Sequence, residues 1–585
     1  MSKLNLDRDK VESCRVLARK IAGRVQDVVN RHTTVSIERS VLRLLGVEEA
    51  YKGMPLVNLV IDSLTPEQLS KGIFYWIGRA LVHQKTSPIS ICLKVADKKL
   101  KWENLPDADL DAIQQVTEPL ARQAVRKLEE VAFKRRKLME KDARHKMPLK
   151  YLIVATGNIH DDVDQAVAAV ESGADCIAVI RSTAQSLLDY VPNGLTTEGF
   201  GGTFATQENF RLMREALDEA GEKIGRYIRL VNYSSGLCMP EIAVMGALER
   251  LDFLLNDSMY GILFRDINMK RTFTDQYFSR LVIARSGIVI NTGEDNYLTT
   301  AESFRSFHQV LASQFINEQM GFAAKLKEEQ LGLGHAFEMD PSIEDSLLYE
   351  IAQAAMVREI FPNSPIKYMP PTRHMTGDIF FGHVLDTMFN LVSVMTHQGI
   401  HLLGMPTEAI HNPLLQDRHI SQKSVNYIFN AARSLGDEIA WSENGKVIRR
   451  SRTVLEETYQ LLHKVEQMTL MKAISQGMFA HMVRDPEGGR GLEGVIEKDK
   501  HYWNPILRIL EKDVRMMDQD RQESPARFFR EGGSRREQNP RRFDRRGNGD
   551  RRRRNQNRRR GPRREAGEKG ETTIQAKAPL VEGKE

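Results

Sequence analysis

Cysteine is scarce in this sequence of 585 residues. Its four cysteines, at positions 14, 92, 176 and 238, are far apart and never form a CxxC pair. This spacing excludes a disulfide framework and a zinc site built from cysteines, so we expect reduced thiols. The sequence also has no run approaching the roughly 18 to 20 apolar residues of a membrane-spanning helix, and its first residues carry charge where a secretory signal has an apolar core. We therefore expect a cytoplasmic protein without a membrane segment.

Metal-binding patterns are equally weak. His397 and His401 stand four residues apart, but no carboxylate lies in register with them. An HxxxH pair alone is poor support for a metal site. We predict that the chain binds no metal ion.

Charge is plentiful but unevenly placed. Charged residues make up 28% and hydrophobic residues 41% of the chain, which is the composition of a folded globular protein. The formal net charge of +6 hides a basic tail, since positions 521–564 hold 18 arginines against five acidic residues and residues 1–520 carry a small negative charge. Because the tail has few aromatic residues and no core-forming period, we expect residues 521–585 to be disordered.

Eight short apolar runs follow one another between positions 150 and 406, with helical patterns between them. In order they are KYLIVAT, CIAVIRS, IRLVNYSS, FLLNDS, GIVINTG, HAFEMD, IKYMPP and IHLLGMP. Runs of this kind are typical of strands buried on both faces in a parallel sheet covered by helices. Eight such strands predict a (β/α)8 TIM barrel, with HAFEMD the weakest of the eight. A doubly wound open sheet would show the same alternation, but its glycine-rich phosphate turn is missing after the first strand.

The barrel forms only part of the chain. Residues before and after it show mainly helical patterns. We predict an α/β fold in four parts: a mostly helical N-terminal region (1–147), the barrel (148–415), a helical C-terminal extension (416–520) and the disordered Arg-rich tail (521–585).

Polar residues follow most of the predicted strands. Because the reacting groups of barrel enzymes lie at the carboxyl ends of the strands, these residues are the candidates for function. They include Arg181, Ser186, Asn232, Ser235, Tyr260, Arg265, Asp295, Lys367 and Glu408. An arginine and several hydroxyl groups at one mouth indicate a phosphorylated ligand, whereas each serine alone is equally well explained as a helix cap.

Six long blocks of sequence carry a further signal. They are CIAVIRSTAQSLLDYVP, GFGGTFATQENFRLMREAL, RLVNYSSGLCMPEIA, NDSMYGILFRDINMKRTFTDQYFSR, INTGEDNYLTTA and IKYMPPTRHMTGDIF. With the residues around them, roughly 1–515, they resemble the family of large (α) subunits of lysine 5,6-aminomutases. The resemblance implies a TIM-barrel isomerase that uses pyridoxal 5′-phosphate (PLP) and adenosylcobalamin. Such an enzyme moves the terminal amino group of D-lysine or L-β-lysine from C6 to C5 by a radical 1,2-shift.

The resemblance also assigns roles to the candidate residues. The cofactor-binding positions of the family fall on Arg181, Ser186, Asn232, Ser235 and Tyr260. Tyr260 is expected to stack on the pyridine ring of PLP, because aromatic stacking would hold that ring flat.

The charged positions of the family fall on Arg265, Asp295 and Lys367, which are expected to bind the substrate. Tyr260, Asp295 and Lys367 are the residues expected to act at the reacting groups, and Glu408 is assigned to the adenosyl group or the migrating site. Two alternatives stay open: Asp295 and Lys367 pair with each other, and Arg265 forms a surface ion pair.

In this family a small β subunit carries the cobalamin-binding domain, with its DxHxxG motif, and the lysine that forms the Schiff base with PLP. Here Asp417, Arg418 and His419 begin such a motif, but Gln422 stands where its glycine is required. We therefore expect a small β partner subunit in an α2β2 assembly, and a lysine-type substrate.

Two other functions compete with this interpretation. A barrel isomerase or lyase would use PLP alone, with Lys367 as its Schiff base. The clustered arginines of the tail are typical of linkers that bind RNA or another polyanion by charge, so the tail, or the chain as a whole, is alternatively a binding module.

Overall fold

The structure is a computed structural model that describes residues 3–142, 146–180, 184–233 and 236–512. These residues all belong to one unit of the chain, Met1–Glu523. The tail at 521–585 and the end of the predicted C-terminal extension lie outside the described residues.

The N-terminal region consists mainly of helices. Its helices are α1 (Arg8–Arg31), α2 (Val35–Leu44), α3 (Leu56–Ile61), α4 (Pro66–Leu69), α5 (Ile73–His83), α6 (Pro88–Ala96) and α7 (Leu110–Glu140), and its strands are β1 (His32–Thr34), β2 (Ala50–Tyr51) and β3 (Met54–Pro55). In α1 the buried residues Leu17, Ile21 and Val25 recur at helical spacing, which gives the helix one apolar face.

Strands and helices alternate in the central part of the chain. The strands are β4 (Leu149–Ile153), β5 (Cys176–Ile180), β6 (Arg229–Asn232), β7 (Phe253–Leu255), β8 (Val289–Asn291), β9 (Leu331–Gly332), β10 (Gly334–Ala336), β11 (Lys367–Met369) and β12 (Ile400–Leu402). The helices are α8 (Ile159–Ser172), α9 (Gln207–Ile224), α10 (Met239–Leu248), α11 (Tyr260–Arg265), α12 (Met269–Ser286), α13 (Asp295–Thr300), α14 (Ser303–Ala323), α15 (Ser346–Ile360) and α16 (Ile379–Met395).

The nine strands form one parallel sheet that closes almost completely into a barrel. Their order is β10-β11-β12-β4-β5-β6-β7-β8-β9, and every neighbouring pair is parallel. Only Leu333 separates β9 from β10, so one bent strand supplies both ends of the sheet. The predicted (β/α)8 barrel is confirmed, and the doubly wound open sheet is wrong.

The bent strand begins earlier than the HAFEMD run predicts, at Leu331 rather than His335. Its two glycines allow close contact with β8 and the residue after it, because a Cβ at Gly332 would lie 2.4 Å from the carbonyl oxygen of Ile290 and a Cβ at Gly334 2.5 Å from that of Thr292. Gly332 and Gly334 stand just before HAFEMD and interrupt the apolar pattern of the strand, which makes this run the weakest of the eight.

The barrel interior is filled with side chains. A buried cluster contains residues of five strands: Leu149, Tyr151, Cys176, Ala178, Val231, Phe253, Ile400 and Leu402. Because side chains alternate along a strand, the residues between them face the surrounding helices. Both faces are therefore buried, which explains the continuous apolar runs of the sequence.

The C-terminal part is again helical, with α17 (Leu415–Ala431), α18 (Leu435–Glu438), α19 (Lys446–Met468), α20 (Leu470–Ser475), α21 (Pro505–Glu511) and the strand β13 (Val495–Glu497). β13 pairs antiparallel with β1, and α19 packs on α1, so the N-terminal and C-terminal regions adjoin. The boundaries at 147, 415 and 520 stay predictions. Within the described ranges, no helix is both long enough and apolar enough to cross a membrane.

Candidate active site

A cavity of about 210 Å³ lies at the carboxyl ends of the barrel strands. Its wall combines an aromatic side, several charged groups and apolar residues: Ile153, Ser186, Tyr233, Leu255, Tyr260, Arg265, Asp295, Asn296, Thr299, Ala336, Glu338, Met369, Pro370, Thr372, Leu402 and Glu408. This end of a TIM barrel is the one that carries active sites.

Tyr260 is the first residue of α11, and Asp257 fixes its backbone. The Oδ1 atom of Asp257 accepts hydrogen bonds from the amides of Met259 (2.8 Å) and Tyr260 (2.6 Å), and its Oδ2 atom accepts one from the amide of Gly293 (3.1 Å). One buried carboxylate thus joins the loop after β7 to the loop after β8. It sets the distance between Tyr260 and the residues that follow Gly293.

The ring of Tyr260 packs directly on the backbone of Gly293. A Cβ at position 293 would lie 2.8 Å from Cδ2 of the ring, so only glycine leaves room for it. On the polar side, Nη2 of Arg265 donates a hydrogen bond to the Tyr260 hydroxyl over 2.9 Å. Arg265 therefore lies at the cavity wall, and its substrate-binding role stays a prediction.

Asp295 and Lys367 form a buried ion pair beside the cavity. Lys367 Nζ lies 3.0 Å from Asp295 Oδ1, and both side chains are almost completely buried. Burial alone would lower the pKa of Lys367, but the Asp295 carboxylate outweighs it and holds this pKa above its usual range. Lys367 is therefore an ammonium group at neutral pH, and its nitrogen has no free electron pair for nucleophilic attack. The expected alternative, that these two residues pair, is confirmed.

Ser186 lies in a short 3-10 turn, Ala184–Leu187, that is anchored on two sides. Its carbonyl oxygen accepts a hydrogen bond from the amide of Leu237 (3.1 Å), and a Cβ at Gly236 would lie only 2.1 Å from the same oxygen. Three residues further on, Asp189 forms salt bridges with the buried Arg39 and Arg271. These contacts fix the turn, and with it the Ser186 hydroxyl, against the cavity.

Glu338 is the most deeply buried acid of the cavity wall. It follows β10 by two residues, and 1% of its surface is exposed. Its Oε1 accepts hydrogen bonds from the Thr372 hydroxyl and the Thr372 amide (2.9 Å), and its Oε2 accepts one from the Arg373 amide (3.1 Å). Burial raises the pKa of Glu338 to about 7, although these donors oppose the shift.

Glu408 lies in the loop after β12, near the buried Asp386 of α16. Burial raises the pKa of Asp386 well above its usual range, and the charge of Glu408 adds to this effect. Among the described residues neither carboxyl oxygen of Asp386 has a hydrogen-bond partner. Burial and the neighbouring Glu408 thus both favour the protonated form of Asp386.

Comparison with known proteins agrees with this geometry. The family described as "D-Lysine 5,6-aminomutase TIM-barrel domain of alpha subunit" matches residues 4–509. The lysine 5,6-aminomutase alpha subunit of Acetoanaerobium sticklandii is 52% identical over 511 residues, which are 87% of this chain and 98% of that protein. The chain belongs to the family of lysine 5,6-aminomutase α subunits.

Two further relatives fit this assignment. The lysine 5,6-aminomutase alpha subunit of Fusobacterium nucleatum is 51% identical over 513 residues, 87% of this chain and 99% of that protein. A D-ornithine 4,5-aminomutase subunit beta of A. sticklandii is 26% identical over 373 residues, 62% of this chain and 50% of that protein. Members of the lysine 5,6-aminomutase family are subunits of aminomutases, which are isomerases, and the designation α implies a second subunit.

The cavity brings together five of the residues that the sequence singles out for this family: Ser186, Tyr260, Arg265, Asp295 and Glu408. Lys367 lies behind Asp295. Asn232 is the buried last residue of β6 and is not part of the cavity wall, whereas the next residue, Tyr233, is. Arg181 and Ser235 lie outside the described residues. Within the described part of the chain, no group of three or more His, Cys, Asp or Glu side chains is arranged to hold a metal ion.

Several residues of the wall are not among the candidates from the sequence. Glu338, Thr372, Asn296 and Thr299 all line the cavity. The rule that found the other residues, a polar side chain after an apolar run, also applies to Glu338, which follows HAF in HAFEMD. Glu338 was not selected because the apolar pattern of its strand is weak.

Proposed function

We propose that this chain is the PLP-binding catalytic subunit of an adenosylcobalamin-dependent aminomutase, which moves the terminal amino group of D-lysine or L-β-lysine from C6 to C5 by a radical 1,2-shift. The proposal rests on family membership over residues 4–509. The observation that carries it is the convergence of Ser186, Tyr260, Arg265 and Asp295 on one cavity at the barrel mouth.

The cavity wall fits PLP in shape and chemistry. Gly293 leaves room for the Tyr260 ring at the cavity wall. An aromatic ring there would stack on the pyridine ring of PLP and hold it flat. The anchored turn places Ser186 in the cavity wall. Arg181 and Ser235, which we propose as phosphate ligands, would complete the set.

The chemistry that the coenzymes supply is electronic. When bound, PLP would attach the reacting amine and delocalise an unpaired electron, and adenosylcobalamin would supply the radical that starts the reaction. Because this sequence lacks the DxHxxG motif, we propose that a small β subunit carries the cobalamin, in an α2β2 complex located in the cytoplasm.

The residues of this chain would bind and orient the substrate. Arg265, held on the Tyr260 hydroxyl, is placed to pair with a carboxylate at the cavity. The Asp295 carboxylate pairs with Lys367 and keeps this side chain in its ammonium form, so the two charges cancel beside the cavity.

The protonation of Lys367 argues against the PLP-only isomerase or lyase. That alternative requires Lys367 as a neutral amine, but Asp295 stabilises its ammonium form. For the RNA-binding alternative, the tail lies outside the described residues, and its function stays a prediction from the sequence.

The test is a matrix of turnover measurements on the full chain with D-lysine and L-β-lysine. Each coenzyme and a candidate small subunit containing DxHxxG are left out in turn. We expect turnover only when both coenzymes and the partner are present. Turnover by this chain with PLP alone, together with a borohydride-trapped adduct that Lys367→Ala abolishes, would establish the PLP-only alternative instead.

A further inference from the structure

We propose that Glu338 is a substrate-binding residue of this site, and that its carboxylate takes the ammonium group of the substrate that does not react. In D-lysine this is the ammonium group beside the carboxylate. The inference rests on the proposed function and adds a specificity residue to it.

The position of Glu338 is that of a ligand-binding group. It stands at the carboxyl end of a barrel strand and lines the same cavity as Tyr260 and Arg265. Its orientation is fixed by hydrogen bonds from the side chain of Thr372 and from the backbone of Thr372 and Arg373. A side chain held in this way recognises a ligand without losing further conformational freedom.

Glu338 forms no salt bridge among the described residues, and the charge of Arg373 lowers its pKa only in part. Asp295 is the other buried carboxylate of the wall, and Lys367 already neutralises it at 3.0 Å. A buried carboxylate without a salt bridge is costly, and an arriving ammonium group would remove that cost.

The charged groups of a lysine isomer match this distribution of charge. Such a substrate carries one carboxylate and one ammonium group in addition to the amine that moves. Arg265 offers the only guanidinium group among the described residues of the cavity wall. Of the wall's acids, Asp295 is paired with Lys367 and Glu408 is assigned to the adenosyl group or the migrating site, so we assign the ammonium to Glu338. A charge-assisted hydrogen bond of this kind is worth about 10 to 100-fold in affinity.

A purely structural role is the competing explanation, since Glu338 also holds the loop after β11 in place. Glu338→Gln separates the two roles. The amide oxygen still accepts from the Thr372 hydroxyl and backbone, whereas the negative charge and the acceptor of the Arg373 amide are lost. A matched variant, Thr372→Val, removes one donor to the loop contact and keeps the charge.

The experiment uses the complex with the small subunit and both coenzymes, and measures KM for D-lysine and the inhibition constant of 6-aminohexanoate. The inhibitor has the carboxylate and the terminal amine of lysine but lacks the second ammonium group. We expect Glu338→Gln to raise KM for D-lysine about 10 to 100-fold while the inhibition constant changes less than about threefold. In Thr372→Val the preference for D-lysine over the inhibitor should persist.

Three results would overturn the inference. One is an equal loss for both ligands in Glu338→Gln, which indicates a structural role. The second is an unchanged KM for D-lysine in this variant. The third needs no variant and therefore stands even if Glu338→Gln does not fold: it is a wild-type complex that binds both ligands equally well. A wild-type complex with no lysine turnover contradicts the proposed function itself, which keeps the two failures apart.

Discussion

At the scale of the residue, the site depends on how buried charges are compensated. Lys367 and Asp295 neutralise each other, whereas Glu338 has its pKa raised to about 7. A compensated pair and an acid without a salt bridge respond differently to substitution and to pH. Two predictions follow from this difference.

The first prediction concerns the buried pair. Asp295→Asn leaves the Lys367 ammonium group buried without a counterion, so we expect the free energy of unfolding to fall by about 3–5 kcal/mol. The double variant Asp295→Asn with Lys367→Gln should recover most of this loss, because it removes the charge that was left. Urea unfolding of the three proteins measures both values. If the double variant is no more stable than the single one, the two residues do not act as a pair.

The second prediction concerns the pH dependence of substrate binding. The groups around Glu338 are Glu350 of α15, itself with a raised pKa, and Thr372 and Arg373 of the loop after β11. Below pH 7 Glu338 is neutral and cannot pair with an ammonium group, and above it the carboxylate forms. KM for D-lysine should therefore fall as the pH rises from 6 to 8, and this trend should be absent in Glu338→Gln. The same pH trend in both proteins would assign it to another group.

At the scale of the element, glycines decide how loops and strands approach one another at the barrel mouth. The loop after β8 touches the Tyr260 ring only because position 293 has no side chain. We expect Gly293→Ala to displace the ring and to weaken PLP binding at least about tenfold, since precise placement supports cofactor and substrate geometry. Gly23→Ala in α1 is the matched control, because a Cβ at Gly23 meets nothing within 4 Å. Titration of both variants with PLP, followed by absorbance, measures the effect, and equal affinities would contradict it.

The strands and the site differ in how far the sequence predicts them. All eight runs became strands because burial on both faces requires continuous apolar residues, which a sequence displays directly. Tyr260, Arg265 and Asp295 were found because they follow such runs. The kink at Leu333 and the contact of Gly293 with Tyr260 depend on distances between loops that are far apart in sequence. Glu338 is not among the candidates from the sequence because the glycines that bend its strand also weaken the apolar pattern of that strand.

At the scale of the whole molecule, the elements that build the cavity lie between β4 and the loop after β12, and the helical regions adjoin each other through β1 and β13. Among the residues that the structure describes, none beyond Glu408 contributes to the cavity wall. We therefore expect a chain ending at residue 520 to keep its lysine turnover with partner and coenzymes, within about twofold. If the basic tail binds polyanions, salt-sensitive retention on RNA should be lost in the same truncation. A large loss of turnover would show that the tail serves catalysis.

The central claim is that an amino group moves from C6 to C5 of a lysine isomer on this barrel. The most direct test is a carbon NMR spectrum of the product formed from D-lysine labelled with ¹³C at C6, using the chain with its small subunit and both coenzymes. The account predicts that the labelled carbon becomes a methyl group, because C6 loses the amino group and gains the hydrogen that leaves C5. A labelled carbon that stays bonded to nitrogen, or a product that has lost its carboxylate, would contradict it.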